Sequence, residues 1–313
     1  GSTTSELLSA RKIAGRYFTP PSIAHALVED VFGRSFGPQS WGTSPDWQAL
    51  DPACGTGHLL AALALKRLHS GVDPLRIART TFGIEIDPVA ASLARFRLFR
   101  TLLNGTDASA AATPTLATIS RRDDLVAALR ESIRASDSLK ETDTKQGAFQ
   151  LVIGNPPWDK IKPLAREWFN LRLPGASSLS RLAFDRAVAL ALQQDNSLRK
   201  AWDAHRSERA ELAQSIRTKF SLQGRGDSNL YKVFLEAGLS WVAPGGRLAW
   251  VLPFSFCLDQ GSGPLRRAIL EKSRHIDLVV HRSGGRAFGI SSQVHIVRLV
   301  AQLNPDRGRG TAA

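Results

Sequence analysis

Asp51-Pro-Ala-Cys-Gly-Thr-Gly57 lies between a short apolar stretch, Trp47-Gln-Ala-Leu50, and a strongly apolar segment from His58 to His69. A strand, a tight loop of small residues and a helix satisfy all three segments in order. Small residues let the backbone approach a ligand closely and adopt conformations closed to larger side chains, and the helix that follows presents unpaired N–H groups at its start. A lone Gly-x-Gly is a weak sign, because many α/β turns carry one for steric reasons. Here a second strand, Thr80 to Ile86, follows in the right order, and Glu85 stands at its end about thirty residues after the loop. A carboxylate in that place can accept both hydroxyls of a ribose. The competing role for Glu85 is a solvated turn acid.

The rest of the chain continues this alternation. A helix is expected from Ser22 to Phe32 after the extended entry at Pro20-Pro21, and another from Pro88 to Leu103. The pattern loosens over 104–118, with an ordered stretch from Ile119 to Asp124 and a helix from Leu125 to about Ala135. Leu151 to Gly154 reads as a strand, and Asp159 to Gly226 as a polar, mostly helical insertion interrupted at Pro174-Gly175. Leu230 to Val242 then reads as an amphipathic helix with Tyr231, Phe234, Leu235, Leu239 and Trp241 as its apolar positions, closed by Pro244-Gly245-Gly246. Strands are expected at Arg247–Leu252, Ile276–Val280 and Val294–Leu303, with a helix from Pro264 to Lys272. Strands alternating with helices predict a parallel α/β sheet, and no internal repeat or long linker divides the chain.

Asn155-Pro156-Pro157-Trp158 follows the apolar run from Phe149 to Gly154, about one hundred residues after the glycine loop. It offers hydrogen-bond acceptors beside an aromatic face, which suits chemistry on a planar amine. An ordinary turn is the bland alternative, since Asn and Pro are turn residues. The seven histidines are dispersed, and neither Cys54 nor Cys257 belongs to a Cys-x-x-Cys pair, so neither a zinc site nor a disulfide framework is expected. The glycine loop lacks the Gly-Lys-Ser/Thr of an ATPase.

Composition bounds the partners. With 43% apolar and 22% charged residues, the 313-residue chain can bury a sizeable core. No apolar run approaches the roughly 18 residues needed to cross a bilayer, and the chain opens without a signal-peptide pattern, so a cytoplasmic protein with no membrane partner is expected. The net charge is +13, with thirteen Lys/Arg against eight Asp/Glu in residues 159–228 and nine against three in 264–313. A polyanion is the natural partner of such a surface; solvated helix faces are the alternative.

Asp51-Pro-Ala-Cys-Gly-Thr-Gly57, Gly83-Ile-Glu-Ile-Asp-Pro88, Arg122-Asp-Asp-Leu125 and Asn-Pro-Pro-Trp158, in that order and preceded by Gly15-Arg-Tyr-Phe-Thr-Pro-Pro21, resemble the S-adenosylmethionine-dependent N6-adenine DNA methyltransferases of restriction–modification and phage-defence systems. The resemblance runs from about residue 11 to residue 303 and includes Asn229-Leu-Tyr-Lys-Val-Phe-Leu-Glu236 and Pro244-Gly-Gly-Arg-Leu248. It implies an α/β, Rossmann-like, seven-stranded sheet with helices on both faces and a helical insertion. It also implies one catalytic domain over 1–313, comprising a cofactor-bordering region (11–45), a cofactor-binding half (46–158), the insertion (159–228) and the second half of the sheet (229–303).

The resemblance further implies residue roles. S-adenosyl-L-methionine would be held by Phe18, Thr19 and Pro20 near its methionine portion, by Asp51, Ala53, Gly55 and Gly57 around the loop, by Glu85 at the ribose, and by Asp123 at the adenine amino group, with Asp124 and Ile86 flanking that ring. Asp123 and Asp124 could equally be helix caps ahead of Leu125. The Asn155 side chain and the Pro156 carbonyl would accept the two N–H bonds of the target amine, Pro157 would complete the turn, and Trp158 would stack on the flipped base, with Phe288 as a second stacking residue. No metal is implied. DNA is the expected partner. No separate target-recognition region is visible in the chain, which leaves three readings: a specificity subunit or other defence-system proteins read the DNA, the chain is an excised catalytic domain, or the insertion at 159–228 contributes contacts. Protein glutamine or a base in RNA are alternative methyl acceptors, and a non-catalytic module that retains the cofactor pocket is the alternative class.

Overall fold

The computed structural model describes residues 19–33, 42, 44, 47–104, 116–140, 146–161, 165–224, 229–282, 288 and 294–305, with side chains left out at 104, 116–120 and 167. Helix α1 (Pro21–Val31) begins with proline at its first position, where the missing N–H costs nothing. Then come β1 (Ala49–Asp51), α2 (His58–His69), α3 (Pro74–Thr80), β2 (Thr81–Glu85) and α4 (Pro88–Asn104). Next are α5 (Leu116–Ser132), β3 (Ile133–Ala135) and β4 (Phe149–Gly154). The insertion carries α6 (Ala165–Asn170), α7 (Arg181–Gln194) and α8 (Asn196–Lys219). The chain returns through α9 (Leu230–Trp241), β5 (Val242–Pro253), α10 (Ser255–Leu258), α11 (Gly263–Lys272), β6 (Ser273–His281) and β7 (Ile296–Leu303).

The seven strands form one sheet in the order β3-β2-β1-β4-β5-β7-β6, parallel except for β7, which runs antiparallel to both β5 and β6. Strand order reverses between β1 and β4, so the connections leave that pair in opposite directions and open a crevice at the strand ends. The seven-stranded α/β sheet read from the sequence is therefore the fold.

Alternating side chains feed two cores. Leu50, Val152, Leu248, Trp250 and Leu252 point to one face, where α9 and α11 cover them together with Ile216 and Phe220 of the insertion. Ala49, Leu151, Ile153, Ala249 and Val251 point to the other, under α1 and α2. Burial on both faces explains why β4 and β5 read as continuous apolar runs. A third cluster joins Leu60 and Ala64 of α2 to α3, α4, α5 and Ile133. The insertion has its own small core of Trp168, Phe169, Ala176 and Phe184, with Trp202 against them.

Two expectations need correction, and one helix was not expected. The segment from Ile119 to Asp124 is helical, within α5, and the strand lies after it, where Ile133–Ala135 pairs with Gly83–Glu85. Tertiary pairing decides here: Ile133 is fully buried beside β2, whereas a helix reaching Ala135 would leave that edge unpaired. Pro244-Gly245-Gly246 does not separate α9 from a strand. β5 already pairs at Val242, opposite Phe149, and residues 243–246 bulge before pairing resumes at Arg247 opposite Leu151. Helix α3 had not been anticipated; Asp73 caps it by accepting from the Arg76 N–H at 3.1 Å, and Pro74 starts it.

Helix α1 matters because it delivers Thr19 and Pro20 to the strand ends. Arg298 on β7, nine-tenths buried, donates to Asp30 through Nε at 2.5 Å and Nη2 at 3.1 Å, and its Nη1 lies 2.6 Å from His281 Nε2. Arg247 Nη1 donates to the Val31 carbonyl at 2.6 Å. Burial and the neighbouring Arg298 hold the His281 imidazole below its ordinary pKa, so the neutral ring accepts the arginine N–H. Asp30→Ala strands a buried guanidinium and is expected to cost about 2–4 kcal/mol of unfolding free energy, below the usual cost of a fully buried pair because Asp30 keeps some water contact. Denaturant unfolding measures it; a loss under about 1 kcal/mol would contradict this anchoring role.

Candidate active site

The parallel register Ala49↔Leu151 and Leu50↔Val152 sets Asp51 beside the end of β4. Gly154 is needed at that end, since a Cβ there would stand 2.5 Å from the Trp250 ring and 3.2 Å from Asp51 Oδ1. One residue further on, Asn155 lines a small cleft together with Thr19, Asp51, Ala53, Gly55 and Thr56. Segments at residues 19, 51–56 and 155 thus meet in one place. The enclosed part of the cleft is only about 30 Å³.

The loop after β1 is held by its own backbone. The Cys54 N–H donates to the Ile84 carbonyl at 3.0 Å and the Gly57 N–H to the Cys54 carbonyl at 2.9 Å. Gly55 and Gly57 have φ of 54° and 81°, a left-handed conformation that glycine adopts without strain. Gly57 also has Ala94 Cα 2.9 Å from where a Cβ would sit, so α4 closes over the loop only because that side chain is missing. Helix α2 then begins without a side-chain cap, leaving its first N–H groups at the cleft.

Glu85 organises the next edge. Its Oε2 accepts the Gly55 N–H at 2.9 Å and its Oε1 the Asp87 N–H at 3.0 Å, so the carboxylate is aimed across the loop and each oxygen keeps a further lone pair. Ile86 beside it is 69% exposed and presents an apolar side chain to solvent. Burial pushes the Asp51 carboxyl up to about 8, opposed by the Ala53 N–H that it accepts at 3.1 Å and reinforced by the charge of Glu85. The Cys54 thiol is likewise pushed well up by burial and by the charges of Asp51 and Glu85, so it stays neutral and is no nucleophile.

Trp158 and Phe288, distant in sequence, have ring centroids 5.9 Å apart, tilted by 49°, and both lean on the core beneath α1. The adjoining Asp159 is pushed up by burial and drawn back by the charge of Arg209 on α8, and its carbonyl accepts the Leu230 N–H at 2.9 Å. Pro156 is buried and Pro157 half-buried.

Not every expected residue joins this group. Phe18 lies outside the described residues. Asp123 and Asp124 are exposed in the interior of α5, so neither ends a strand and neither caps a helix. The carboxylate that follows β3 is Asp137, which sequence reasoning missed. The Ser136 N–H donates to the Glu85 carbonyl at 3.0 Å, which places Asp137 next to the Glu85 edge, and its Oδ1 accepts the Leu139 N–H at 3.1 Å. The available signal was Ala135-Ser-Asp-Ser-Leu139, an acid one residue beyond a short strand.

A sequence profile of N-6 DNA methylases matches residues 8–167, half of the chain, including the glycine loop and the Asn-Pro-Pro-Trp segment. The chain belongs to the N-6 DNA methylase family. No curated protein sequence matches it. Among solved structures, this family member resembles a DrdV–DNA complex (TM-score 0.60, 13% identity, 95% of this chain and 28% of that one). It also resembles the type IIG restriction endonuclease BpuSI (0.53, 18%, 96% and 27%) and the M protein of the type I restriction enzyme EcoKI (0.51, 17%, 93% and 46%). At such identities the likeness is one of fold, and this methylase chain spans less than half the length of each of those three. Among the described residues no group of His, Cys, Asp and Glu could hold a metal ion, and no helix is long and apolar enough to cross a membrane.

The buried acid gives a pH signature. Asp51 keeps its proton in the folded protein up to about pH 8, whereas in the unfolded chain it ionises near 3.8. Folding stability therefore falls as pH rises from about 3.8 towards 8 and levels off above. Asp51→Asn is expected to flatten that part of the stability–pH curve measured by denaturant unfolding. An unchanged slope would show that Asp51 is ionised in the fold.

Proposed function

We propose that this family member transfers the methyl group of S-adenosyl-L-methionine to N6 of an adenine flipped out of DNA. The observation that carries the reading is the meeting of Thr19, the Asp51–Gly57 loop and Asn155 at one cleft, with the Trp158–Phe288 pair beside it. The residues present suit the cofactor. Small residues and helix N–H groups lie at the loop, the Glu85 carboxylate has lone pairs for ribose hydroxyls, exposed Ile86 offers an apolar face for a purine, and Asp137 can accept from an exocyclic amino group. Thr19, Pro20, Asp51 and Ala53 would border the methionine end. Asp137 replaces Asp123 and Asp124 in this assignment. When bound, S-adenosylmethionine supplies a methyl group activated by its sulfonium charge.

The chain's own contribution is orientation and electrostatics. The lone pair of an adenine amino group is delocalised into the ring and makes a poor nucleophile. The Asn155 side-chain oxygen and the Pro156 carbonyl would accept its two N–H bonds, favour a tetrahedral nitrogen and aim its lone pair into the cleft. Neutral Cys54 offers no covalent route. Flipping the base costs a few kcal/mol, which stacking on Trp158 and Phe288 would offset. The neighbours' restriction–modification setting suggests the same setting here, with a specificity subunit or further segment reading the sequence.

The test is labelled methyl transfer to duplex DNA, mismatched DNA, RNA and a protein extract. Label recovered as N6-methyladenine in DNA is expected, and Asn155→Ala should lower kcat by about 10²-fold or more while cofactor affinity holds. Label confined to RNA or to protein glutamine would move the acceptor to that class, and cofactor binding without turnover on any of these would favour a binding module. The cofactor assignment is separately testable. Asp137→Ala should weaken S-adenosylhomocysteine binding about tenfold by calorimetry, the worth of one hydrogen bond to a charged group, and Asp123→Ala should not; the opposite ranking would restore Asp123.

A further inference from the structure

Helix α8 is a bridge between the insertion and the main fold. Near its start, Leu198 and Trp202 pack into the insertion's core, and near its end Leu212, Ala213 and Ile216, followed by Phe220, pack against the sheet's core. Anchoring at both ends fixes the helix beside the Asn-Pro-Pro-Trp segment, which is also tied to α9 by the backbone bridge between Lys160 and Asn229. Along α8 runs an open groove of about 480 Å³ lined by Arg206, Arg209 and Arg217 and by the small residues Ser207, Ala210 and Ala213. One acid, Asp203, stands at its end, 3.9 Å from Arg206. Ala213 of the groove and Trp158 pack against the same core cluster, which sets the groove near the Asn-Pro-Pro-Trp segment, and the charge of Arg209 acts on Asp159, the residue after Trp158.

Three guanidinium groups beside small residues make a surface suited to a chain of phosphates, since guanidinium pairs bidentately with phosphate oxygens and small residues let a backbone lie close. An acidic peptide is the rival polyanion. The packing of Ala213 and Trp158 against one core cluster favours a strand that also delivers a base to Trp158. Solvated arginines on a helix would account for the charge, but not for the groove between them or for its place on the same core cluster as Trp158.

We propose that the arginine-lined groove along α8 holds the phosphodiester backbone of the DNA strand next to the flipped adenine. This rests on the DNA reading above. The contact is to phosphate, so it adds affinity without reading sequence and weakens with salt.

The experiment measures binding of the full chain to a fluorescent duplex carrying one mismatched adenine, over a range of salt concentrations, with S-adenosylhomocysteine affinity as the control for folding. The triple variant Arg206→Ala, Arg209→Ala, Arg217→Ala should bind about 10–100-fold more weakly near 0.1 M salt, equally for unrelated sequences, with a log K–log salt slope shallower by about 2–3. Asp203→Asn, which removes the acid from the groove, should bind about twofold more tightly, and it supports the proposal even if the triple variant does not fold. Wild-type affinity and slope in a folded triple variant would overturn the groove while leaving the methylation reading intact. Cofactor binding by the wild type with no DNA binding at low salt would overturn both, and tighter binding to RNA or to an acidic peptide than to DNA would overturn the choice of strand.

Discussion

Parallel pairing of β1 with β4 is the constraint on which the rest of the site depends. The two strands are separated by almost a hundred residues of chain, yet their register puts Asp51 level with Ile153, one residue before the end of β4, and the loops that leave them diverge at the point where strand order reverses. Shifting that register by one residue would exchange Leu50 and Val152 with Ala49 and Leu151 between the two cores, so the packing of both faces specifies it. The position of Asn155 relative to the glycine loop follows from sheet packing, and no direct contact between the loops is required.

That arrangement makes the cleft electrostatically unusual. Asp51 sits fully buried between a loop and a neighbouring strand with Glu85 close by, and its carboxyl is held neutral well above the ordinary carboxylate range. Such a group is poised to change charge when a cation arrives, at the cost of stability that a neutral asparagine would avoid. Glu85, with two backbone N–H groups on its oxygens, remains positioned without a ligand. The Glu85 edge is thus held in place by the backbone, so any ligand that uses it would find it already ordered.

Much of this was legible in the chain, for local reasons. The helix from His58 to His69 and the strand inside Thr80–Ile86 carry strong periodic or apolar signals bounded by glycines, and Tyr231, Phe234, Leu235, Leu239 and Trp241 are all buried on α9 as the pattern demanded. The stretch before β3 failed for an equally physical reason. Asp123-Asp124 before Leu125 reads like a helix entrance, while the real strand is three residues with only Ile133 buried, too short to show a period. Its existence is decided by pairing with β2, which no local window contains. Asp137 was overlooked as a consequence, and the arginine groove on α8 was visible only as net charge until the end of that helix was seen to share a core cluster with Trp158.

The most direct test of the central claim, that the β1–β4 pairing assembles one cofactor cleft from three distant segments, is a crystal structure of the chain with S-adenosylhomocysteine. The account predicts the ribose on Glu85, the purine between Ile86 and Asp137, and the amino-acid end among Thr19, Asp51 and Ala53, with the sulfur facing Asn155. A ligand seated away from the ends of β1 and β4, or one that reaches the loop without approaching Asn155, would contradict it.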